Sequence, residues 1–503
     1  MAQWSTPPEV VYTGISPYSA TNPTIATNAS GITVAAWFDT NGTGLLQAAK
    51  LDGVFSNGQP AWALNNTIVS SNVQDPASPY AHSIGIDSSG NSTAVWTDGF
   101  NVYASTLALH HITWSTPLII NSGIGGQLIS NLSIAVAANG NAIVSWLSSS
   151  HPYDYTVFAN VFDSETQLWL GQLNILGAAV EFNTSLNPIA IDPHGNGLVS
   201  LTTTSNDKQA ISYNVNDNTW TTIPSIVTNS IVYQHASMDS SGNAIVIWTE
   251  NDNTVHAATL PFNGTSLTDS VILSTTADST TSPPFVAGDA NGGAVAVWAD
   301  IRGGLASARF SFSTKNWTLL PVLFLNGIIP TNISFSGDAN GNVVASWTVF
   351  VNSNSYIQSA ALGAGTSLWG FLSQLSPSSD FDNNSRIILT ANGDAVVLWQ
   401  NNINGSVGTI NSAIYLQIFA IQQQPQPPIY FSGNAQNHTL TWYPSPNPFV
   451  VQYRLYKNSK LIAIRSPGMC SYKVRHWKKG DTYSLVAVNP YQIESPPLYV
   501  EIK

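Results

Sequence analysis

The sequence predicts an all-β fold, an eight-bladed β-propeller closed by its N-terminal strand. Three observations lead to it: a phrase that recurs eight times, four strand-like runs in each repeat, and an N-terminal segment that supplies a missing strand. The phrase is an apolar stretch, then Asp-x-x-Gly-Asn-Ala, then a short apolar run ending in Trp, as in Asp87–Trp96 and Asp289–Trp298. A repeat of this length is typical of propeller blades.

The glycine of the phrase marks the period. Successive glycines lie 59, 50, 55, 47, 50, 49 and 52 residues apart, at Gly31, Gly90, Gly140, Gly195, Gly242, Gly292, Gly341 and Gly393. The third repeat shows the four runs, at 132–137, 142–146, 156–162 and 167–170. Gly140 supplies the positive φ that a tight turn between the first two runs needs. Four antiparallel strands make one blade.

The composition of the runs predicts their place in a blade. The second run is apolar at nearly every position, as in 294–298, which is typical of a strand buried on both faces. The first run carries small residues where strands would converge on an axis, and we assign it to the innermost strand. These small residues include Gly85, Ala135, Ala190 and Ser237.

A second repeated Trp predicts how the fold closes. It lies in the last run of most repeats, at Trp62, Trp114, Trp169, Trp220, Trp317 and Trp369, with Leu267 in its place once. The eighth repeat has a strand at 413–420 but no such Trp before the Gln/Pro-rich stretch 422–428. Residues 3–7 are similar to 113–117, so we expect the strand around Trp4 to pair beside 413–420 and remove the exposed sheet edges.

Composition limits the class of protein. The single Cys excludes an internal disulfide, and only 8% of the 503 residues are charged, while Asn, Ser and Thr are abundant. This profile favours an extracellular or cell-surface location. No signal peptide opens the chain and no apolar run is long enough to cross a membrane. We therefore expect no transmembrane segment, and either a removed signal or an export route without one.

Charge is divided unevenly along the chain. Residues 1–426 hold six Lys/Arg and 24 Asp/Glu, whereas residues 427–503 hold nine and three. The acidic part would repel phosphates, so no nucleic-acid partner is expected. The basic part could contact an anionic polymer, a membrane surface or the acidic part itself, or its lysines could simply be solvated.

The C-terminal residues have their own signature. The segments 440–442, 453–456 and 480–489, followed by 494–496, resemble a fibronectin type III domain. The resemblance implies a seven-strand sandwich with Trp442 in its core and Tyr483 at the tyrosine corner, where the hydroxyl bonds to nearby backbone. The expected domains are a propeller at 1–421, a Gln/Pro linker at 422–428 and a fibronectin type III-like domain at 429–503.

The propeller repeat resembles bladed repeat proteins without matching a well-known family. It lacks the Gly-His and Trp-Asp marks of WD40 repeats and the Gly-Gly doublet of kelch repeats. It also differs from the sialidase Asp box, in which Gly and Trp are three residues apart, because Gly90 and Trp96 are six apart. No catalytic residues can therefore be transferred.

Two sets of acids need separate interpretations. The Asp of the phrase is expected to accept N–H groups of its own turn, and the phrase lacks the oxygen ligands of a calcium loop. The acids two residues after the Trp would instead share one face with nearby polar and aromatic residues. The candidate ligand-binding set is Asp39, Asp98, Glu250, Asp300, Arg302, Tyr80, His82, Tyr233 and His235, with Phe100 close by.

These acids and rings suit sugar recognition, since hydroxyls seek acceptors and pyranose faces stack on rings. The predicted function is a secreted or surface recognition protein that binds a glycan or protein ligand on this face, without cofactor, metal or catalytic residues. One alternative is a glycan-cleaving enzyme that uses facing acids of the same face. Another is a structural cell-envelope or assembly subunit, and the acids could also serve only to cap turns. The oligomeric state is left open.

Overall fold

The computed structural model consists of β-strands and contains no helix among the residues it describes. None of its described elements is therefore a helix that could cross a membrane. The described residues are 9–13, 20–39, 45–51, 55–56, 59–60, 62–70, 82–109, 111, 113–121, 128–151, 154–171, 173–174, 189–202, 207–226, 228, 231–268, 270–277, 282–351, 354–377, 382–391, 393–402, 408–415, 427–443, 445, 452–466, 469–488 and 494–502.

The chain divides into two compact units, one spanning Trp4–Ile414 and the other containing Tyr415–Lys503. In the first unit the described strands form eight antiparallel sheets, numbered here in chain order. Each of the first seven runs from a first strand to a fourth in sequence order.

Sheets 1 to 4 comprise the following strands. Sheet 1 has Ala20–Thr27, Thr33–Asp39, Leu45–Leu51 and Ala63–Ser70, with a small separate hairpin of Phe55–Ser56 and Gln59–Pro60; sheet 2 has His82–Ile86, Ser92–Thr97, Val102–Leu107 and Leu118–Ile119; sheet 3 has Leu128–Val136, Ala142–His151, Asp154–Asp163 and Leu168–Trp169, with Leu173–Asn174 also on its third strand; sheet 4 has Ile189–Ile191, Gly197–Thr202, Lys208–Asn214 and Thr219–Ile226.

Sheets 5 to 8 follow the same plan. Sheet 5 has Ile231–Met238, Ala244–Glu250, Val255–Leu260 and Val271–Ser274; sheet 6 has Phe285–Gly288, Ala294–Asp300, Gly304–Ser311 and Asn316–Leu319, with Leu323–Phe324 also on its third strand; sheet 7 has Thr331–Gly337, Val343–Val351, Asn354–Leu362 and Gly370–Gln374; sheet 8 has Asp382–Leu389, Ala395–Asn402, Gly408–Tyr415 and, as its outer strand, Glu9–Thr13.

The repeated phrase forms the hairpin between the first and second strands. In sheet 5 the backbone carbonyl of Asp239 accepts the N–H of Gly242 at 3.2 Å, and Gly242 has a φ of 83°. The Asp239 carboxylate accepts the N–H groups of Ser241 and Asn243 and the Asn243 amide, at 2.8 to 2.9 Å. This is a three-residue turn with glycine in the left-handed region. The prediction that these aspartates bond to their own turns is confirmed.

The Asn of the phrase has a further role. Its side-chain oxygen accepts a backbone N–H just after the third strand, as Asn243 does from Phe262 at 3.0 Å and Asn196 from Val215 at 3.1 Å. The phrase thus ties three strands together through one short turn. All eight repeat glycines have positive φ, between 79° and 101°. The turn predicted from them is confirmed.

The second strands are buried along their whole length, as the sequence indicated, in sheets 2, 4, 5 and 6. Their Trp residues pack against side chains of the third strand. Trp96 stacks on Tyr103 with ring centroids 5.7 Å apart, and Trp146 stacks on Phe158 at 6.1 Å. The second repeated Trp was expected within the last strand of each repeat. This is wrong for Trp62, Trp114 and Trp369, which lie just outside strands.

The first strands contact one another from sheet to sheet. Backbone N–H groups on the edges of these strands donate hydrogen bonds to serine hydroxyls of the preceding sheet. Gly288 donates to Ser237 at 2.9 Å, and Leu389 donates to Ser336 at 3.0 Å. The small first-strand residues allow this approach, since a Cβ on Gly85 would lie 2.3 Å from the Val136 side chain. Among the described residues these strands line a cavity of about 550 Å³, to which sheets 1, 2, 3, 4, 7 and 8 contribute.

The last sheet contacts the first and includes the N-terminal strand. The first strand of sheet 1 packs on that of sheet 8, and the Asn22 N–H donates to the Gln400 side chain at 3.4 Å. Glu9–Thr13 pairs antiparallel with Gly408–Tyr415. The strand expected around Trp4, and most of the one expected at 413–420, lie outside the described residues.

The C-terminal unit has seven described strands in two sheets. One sheet contains Tyr430–Asn434, Thr439–Tyr443 and Ser471–Lys473, and the other contains Lys460–Arg465, Gln452–Lys457, Thr482–Val488 and Leu498–Glu501. Their shared core includes Trp442, as expected. Tyr483 is also in the core, but its hydroxyl has no hydrogen-bond partner in the described part of the chain. The expected tyrosine-corner bond to the backbone is therefore wrong: the ring packs in the core, and the Lys457 ammonium lies 5.6 Å from its centroid.

Candidate ligand-binding face

The candidate residues lie where second strands end and first strands begin. Antiparallel pairing brings these ends together, as in the partner positions Ala20 and Asp39, or Ile231 and Glu250. Three turns after the second strands, 98–101, 251–254 and 301–303, are called the Trp-acid turns below. Tyr80 lies outside the described residues, and only the backbone of Asp39 is described.

Asp98 is fully engaged within its own turn. One carboxylate oxygen accepts the N–H groups of Phe100 and Asn101 at 2.9 and 2.7 Å. The other accepts the Tyr103 hydroxyl at 2.8 Å and the Asn101 amide at 3.0 Å. Burial works to raise the pKa of Asp98, but these hydrogen bonds outweigh it and hold the pKa below its usual value. Asp98 is therefore an ionised residue that shapes the turn.

Asp300 forms a tight ion pair with the other candidate of its turn. It is buried, and its two oxygens accept from the Arg302 guanidinium at 2.8 and 2.6 Å. It also accepts the Arg302 N–H at 2.9 Å and the Thr276 hydroxyl at 3.0 Å. Burial would raise the pKa of Asp300, but the bonds from Arg302 and Thr276 lower it. The outer part of Arg302 remains exposed.

Glu250 is buried beneath its turn rather than presented on it. Its carboxylate accepts the indole N–H of Trp248 at 3.0 Å and lies 3.6 Å from the His256 ring nitrogen. The His256 ring stacks on Trp248 with centroids 5.4 Å apart. This acid therefore anchors Trp248, the repeated Trp of its own sheet.

Two of the Trp-acid turns are brought together by one connecting segment. The N–H of Ala277 donates to the carbonyl of Asn253 in sheet 5, at 3.0 Å, and Ala277 forms a β-bridge with Asp300 in sheet 6. The N–H of Ile301 in turn donates to the Thr276 carbonyl at 3.0 Å. The turns of Glu250 and Asp300 are thus neighbours in one surface.

The candidate histidines lie between sheets. His235 accepts the Val286 N–H on Nδ1 at 3.4 Å, and His82 packs edge-on against Phe38 with ring centroids 4.3 Å apart. Burial lowers the pKa of each to about 4, and the Arg386 charge contributes at His82. Both rings are therefore neutral near pH 7. Tyr233, next to His235 on the same strand, is half-buried.

Several apolar side chains are exposed on this face. Phe100 and Ile301 are 45% and 44% exposed at the tips of their turns, beside the exposed Arg302. Phe350 and Val351 are likewise exposed at the end of the second strand of sheet 7. Sequence reasoning singled out the acids and passed over Ile301, Phe350 and Val351. Apolar residues just beyond the buried Trp strand are the signal that could have found them.

Comparisons with known proteins give no family. No family model matches the chain, and no curated protein matches it. Among solved structures, it is similar to the BP39L lectin from Burkholderia pseudomallei, at 14% identity over 71% of this chain and 100% of the lectin, with a TM-score of 0.48. A protein of unknown function from Dyadobacter fermentans has 11% identity over 82% of this chain and 98% of its own, with a TM-score of 0.39. The six-bladed lectin of Aleuria aurantia has 14% identity over 63% and 98%, with a TM-score of 0.36.

Proposed function

We propose that this chain is a non-catalytic recognition protein of the cell exterior that binds a glycan or protein ligand through the Trp-acid turns. Residues 1–421 form an eight-bladed propeller in this proposal, closed by the pairing of Glu9–Thr13 with Gly408–Tyr415. Residues 429–503 form a fibronectin type III-like sandwich after the linker 422–428. The circuit of contacts between first strands, from sheet 1 through sheet 8 and back, supports the closed ring.

One observation carries the binding function. In the turns of sheets 2 and 6, Asp98 and Asp300 accept backbone N–H groups, and Phe100, Ile301 and Arg302 are left facing solvent. A hydrogen-bonded turn fixes the position of these side chains before a ligand arrives, which reduces the entropy lost on binding. An exposed ring, an aliphatic side chain and a guanidinium suit a sugar face with polar substituents or an apolar protein patch.

The same contacts disfavour the glycan-cleaving alternative. A glycosidase needs one carboxylic acid with a raised pKa to protonate the leaving oxygen. The pKa values of Asp98 and Asp300 are both lowered, by hydrogen bonds from Tyr103 and Asn101 and from Arg302 respectively. Both residues would therefore remain ionised and could not donate that proton at neutral pH.

A binding screen with matched variants tests the proposal. The wild type, Phe100→Ala and the double variant I301A/R302A would be applied to a glycan array and to a panel of extracellular proteins. Phe262→Ala serves as the control, because Phe262 is 42% exposed and lies against Gly242, in the repeat turn at the opposite end of its sheet from the Trp-acid turn. We expect the turn variants to lose about tenfold in affinity and the control to bind normally. Equal binding by all variants would reject this face, and cleavage of any bound glycan would favour the enzyme.

A separate observation favours assembly as a second candidate function. The outermost strands of several sheets expose apolar side chains: Leu118, Ile119, Leu168, Leu173, Val271, Ile272, Leu319, Phe324 and Leu372. Exposed apolar edges of this kind are typical of protein contact surfaces. Light scattering over a range of concentrations tests whether copies of the chain associate. A monomer at all concentrations, unchanged by Leu168→Ser with Leu173→Ser, would argue against assembly.

A further inference from the structure

The three-stranded sheet of the C-terminal unit has one open face. Along its middle strand, Leu440 and Trp442 are buried, whereas Thr441 and Tyr443 are exposed. Residues directly opposite on neighbouring strands point to the same side of a sheet. The register therefore arranges the open face in three rows: Tyr430 with Tyr443, then Ser432 with Thr441 and Ser471, then Asn434 with Thr439 and Lys473.

The first row is a pair of exposed rings. Tyr430 and Tyr443 are 51% and 64% exposed, with ring centroids 5.7 Å apart. The next row offers hydroxyls, since the Ser432 and Thr441 oxygens lie 3.1 Å apart. Tyrosine rings present an apolar surface at little cost in side-chain entropy, and hydroxyls bond to either donors or acceptors. This row order suits a sugar chain lying across the strands.

Positive charge is concentrated at the far end of the face. Lys473, Arg475, Lys478 and Lys479 are exposed within seven residues. Two of the three carboxylates in residues 427–503 are paired elsewhere: Asp481 with Lys457 at 2.7 Å and Glu494 with Arg454 at 2.8 Å. The third, Glu501, lies on the other sheet. Asp481 also acts electrostatically on Lys478, whereas no ion pair is formed by Lys473 or Arg475 within the described residues.

We propose that this face binds an acidic polysaccharide, independently of the Trp-acid turns. The rings of Tyr430 and Tyr443 stack on the sugar, the serine and threonine row bonds to its hydroxyls, and Lys473 with Arg475 meets its carboxylate or sulfate groups. A nucleic acid would also use rings and cations. The middle row of uncharged hydroxyls favours the polysaccharide, whose own hydroxyls bond to such groups, and single-stranded DNA is tested as the rival.

The test measures binding of the full chain to immobilised polygalacturonate and chondroitin sulfate, with dextran as a neutral polymer and single-stranded DNA as the rival. The variants are Y430A/Y443A and K473Q/R475Q. Matched controls lie on the other sheet of the unit: Tyr499→Ala replaces an equally exposed tyrosine and Lys460→Gln an exposed lysine. Because all these side chains are exposed, the variants are expected to melt like the wild type, which circular dichroism checks.

We expect both double variants to bind the acidic polymers about tenfold more weakly and the two controls to stay within about twofold of the wild type. Binding should weaken with added salt, and less so in K473Q/R475Q. Failure of the wild type to bind either acidic polymer, equal losses in the controls, or tighter binding to DNA would overturn the proposal. Phe100→Ala should bind as the wild type does, which separates this site from the Trp-acid turns.

Discussion

The Nδ1 atom of His235 accepts a hydrogen bond from the backbone N–H of Val286, across the boundary between sheets 5 and 6, at 3.4 Å. Serines hold the corresponding place in other sheets: Ser83 accepts from Ile134 and Ser334 accepts from Ile387. A protonated Nδ1 could not accept this bond. The contact between the two sheets therefore depends on a neutral histidine.

Acid should destabilise the first unit through His82 and His235. Burial lowers the pKa of each to about 4, whereas the unfolded chain has the ordinary value of 6.5. Between these pH values the unfolded state binds more protons, so the free energy of unfolding falls as the pH drops from 6.5 to 4, by about 3 kcal/mol per histidine. Denaturant titrations at pH 7, 5.5 and 4.5 measure this loss.

The variant His235→Ser isolates one histidine, because serine is the residue that other sheets use there. We expect it to keep the acceptor for Val286 and to reduce the acid loss by about half, since His82 still titrates. An unchanged acid dependence in this variant would mean that His235 is not buried in neutral form.

Lys208 should reduce stability at neutral pH. Its side chain is fully buried and contacts the Ser200 hydroxyl, the Gln234 amide oxygen and the Leu201 carbonyl. The equivalent positions of sheets 2, 3 and 5 hold Val102, Val157 and Val255. Burial holds the pKa of Lys208 well below its ordinary value of 10.5. The folded state therefore loses this proton at a lower pH than the unfolded state does.

It follows that stability should rise with pH between the lowered pKa of folded Lys208 and 10.5, where the unfolded lysine also loses its proton. Lys208→Met should raise the free energy of unfolding at pH 7 by about 1–4 kcal/mol and remove this rise. Urea unfolding at pH 7 and 9.5 checks both effects. A destabilised Lys208→Met with the pH dependence intact would show that another group titrates.

The repeat phrase predicted much of the fold because its effects are local. A positive-φ glycine and an aspartate five residues before the next strand determine one hairpin, whatever surrounds it, and Gly242 and Asp239 behave accordingly. The first strands were harder to predict in detail. Asn22, Asn131, Asn332 and Asn384 each have positive φ at a break in strand register, nine residues before a repeat glycine. This second pattern was present in the sequence and passed unnoticed.

The site was less predictable because spacing locates a side chain without giving its direction. The Trp-x-Asp spacing placed Asp98 and Asp300 where the second strand ends. In the structure Asp98 directly follows its strand and Asp300 is the last residue of its strand. Spacing does not say whether their carboxylates face solvent or the turn; in the structure both accept backbone N–H groups of the turn, from Phe100 and Arg302 respectively. Lys208 could have been noticed from the aligned repeats, but its partner Gln234 belongs to the next sheet and depends on packing.

Replacing the turn aspartate should destabilise one hairpin in a graded way. Asp239→Ala removes acceptors for two N–H groups and an amide, so we expect a loss of about 1–3 kcal/mol in the free energy of unfolding. Asp239→Asn should cost less than half as much, because Asn28 fills the same place in sheet 1 and accepts from Ser30 and Ile32. Thermal melting compares the two. Equal losses would mean that the carboxylate charge, rather than the acceptor geometry, stabilises the turn.

The N-terminal strand offers a direct test of ring closure. Val10 and Val11 are adjacent in Glu9–Thr13, but Val11 is buried and Val10 is 52% exposed. Val11→Asp would place a charge without a partner against sheet 8 and should cost about 3 kcal/mol. Val10→Asp should be close to neutral. If this strand locks the eight sheets into a ring, Val11→Asp should also speed proteolysis in sheets 1 and 8, which mass spectrometry of early fragments would reveal. Similar melting and similar fragments from the two variants would show that the first unit is stable without this strand.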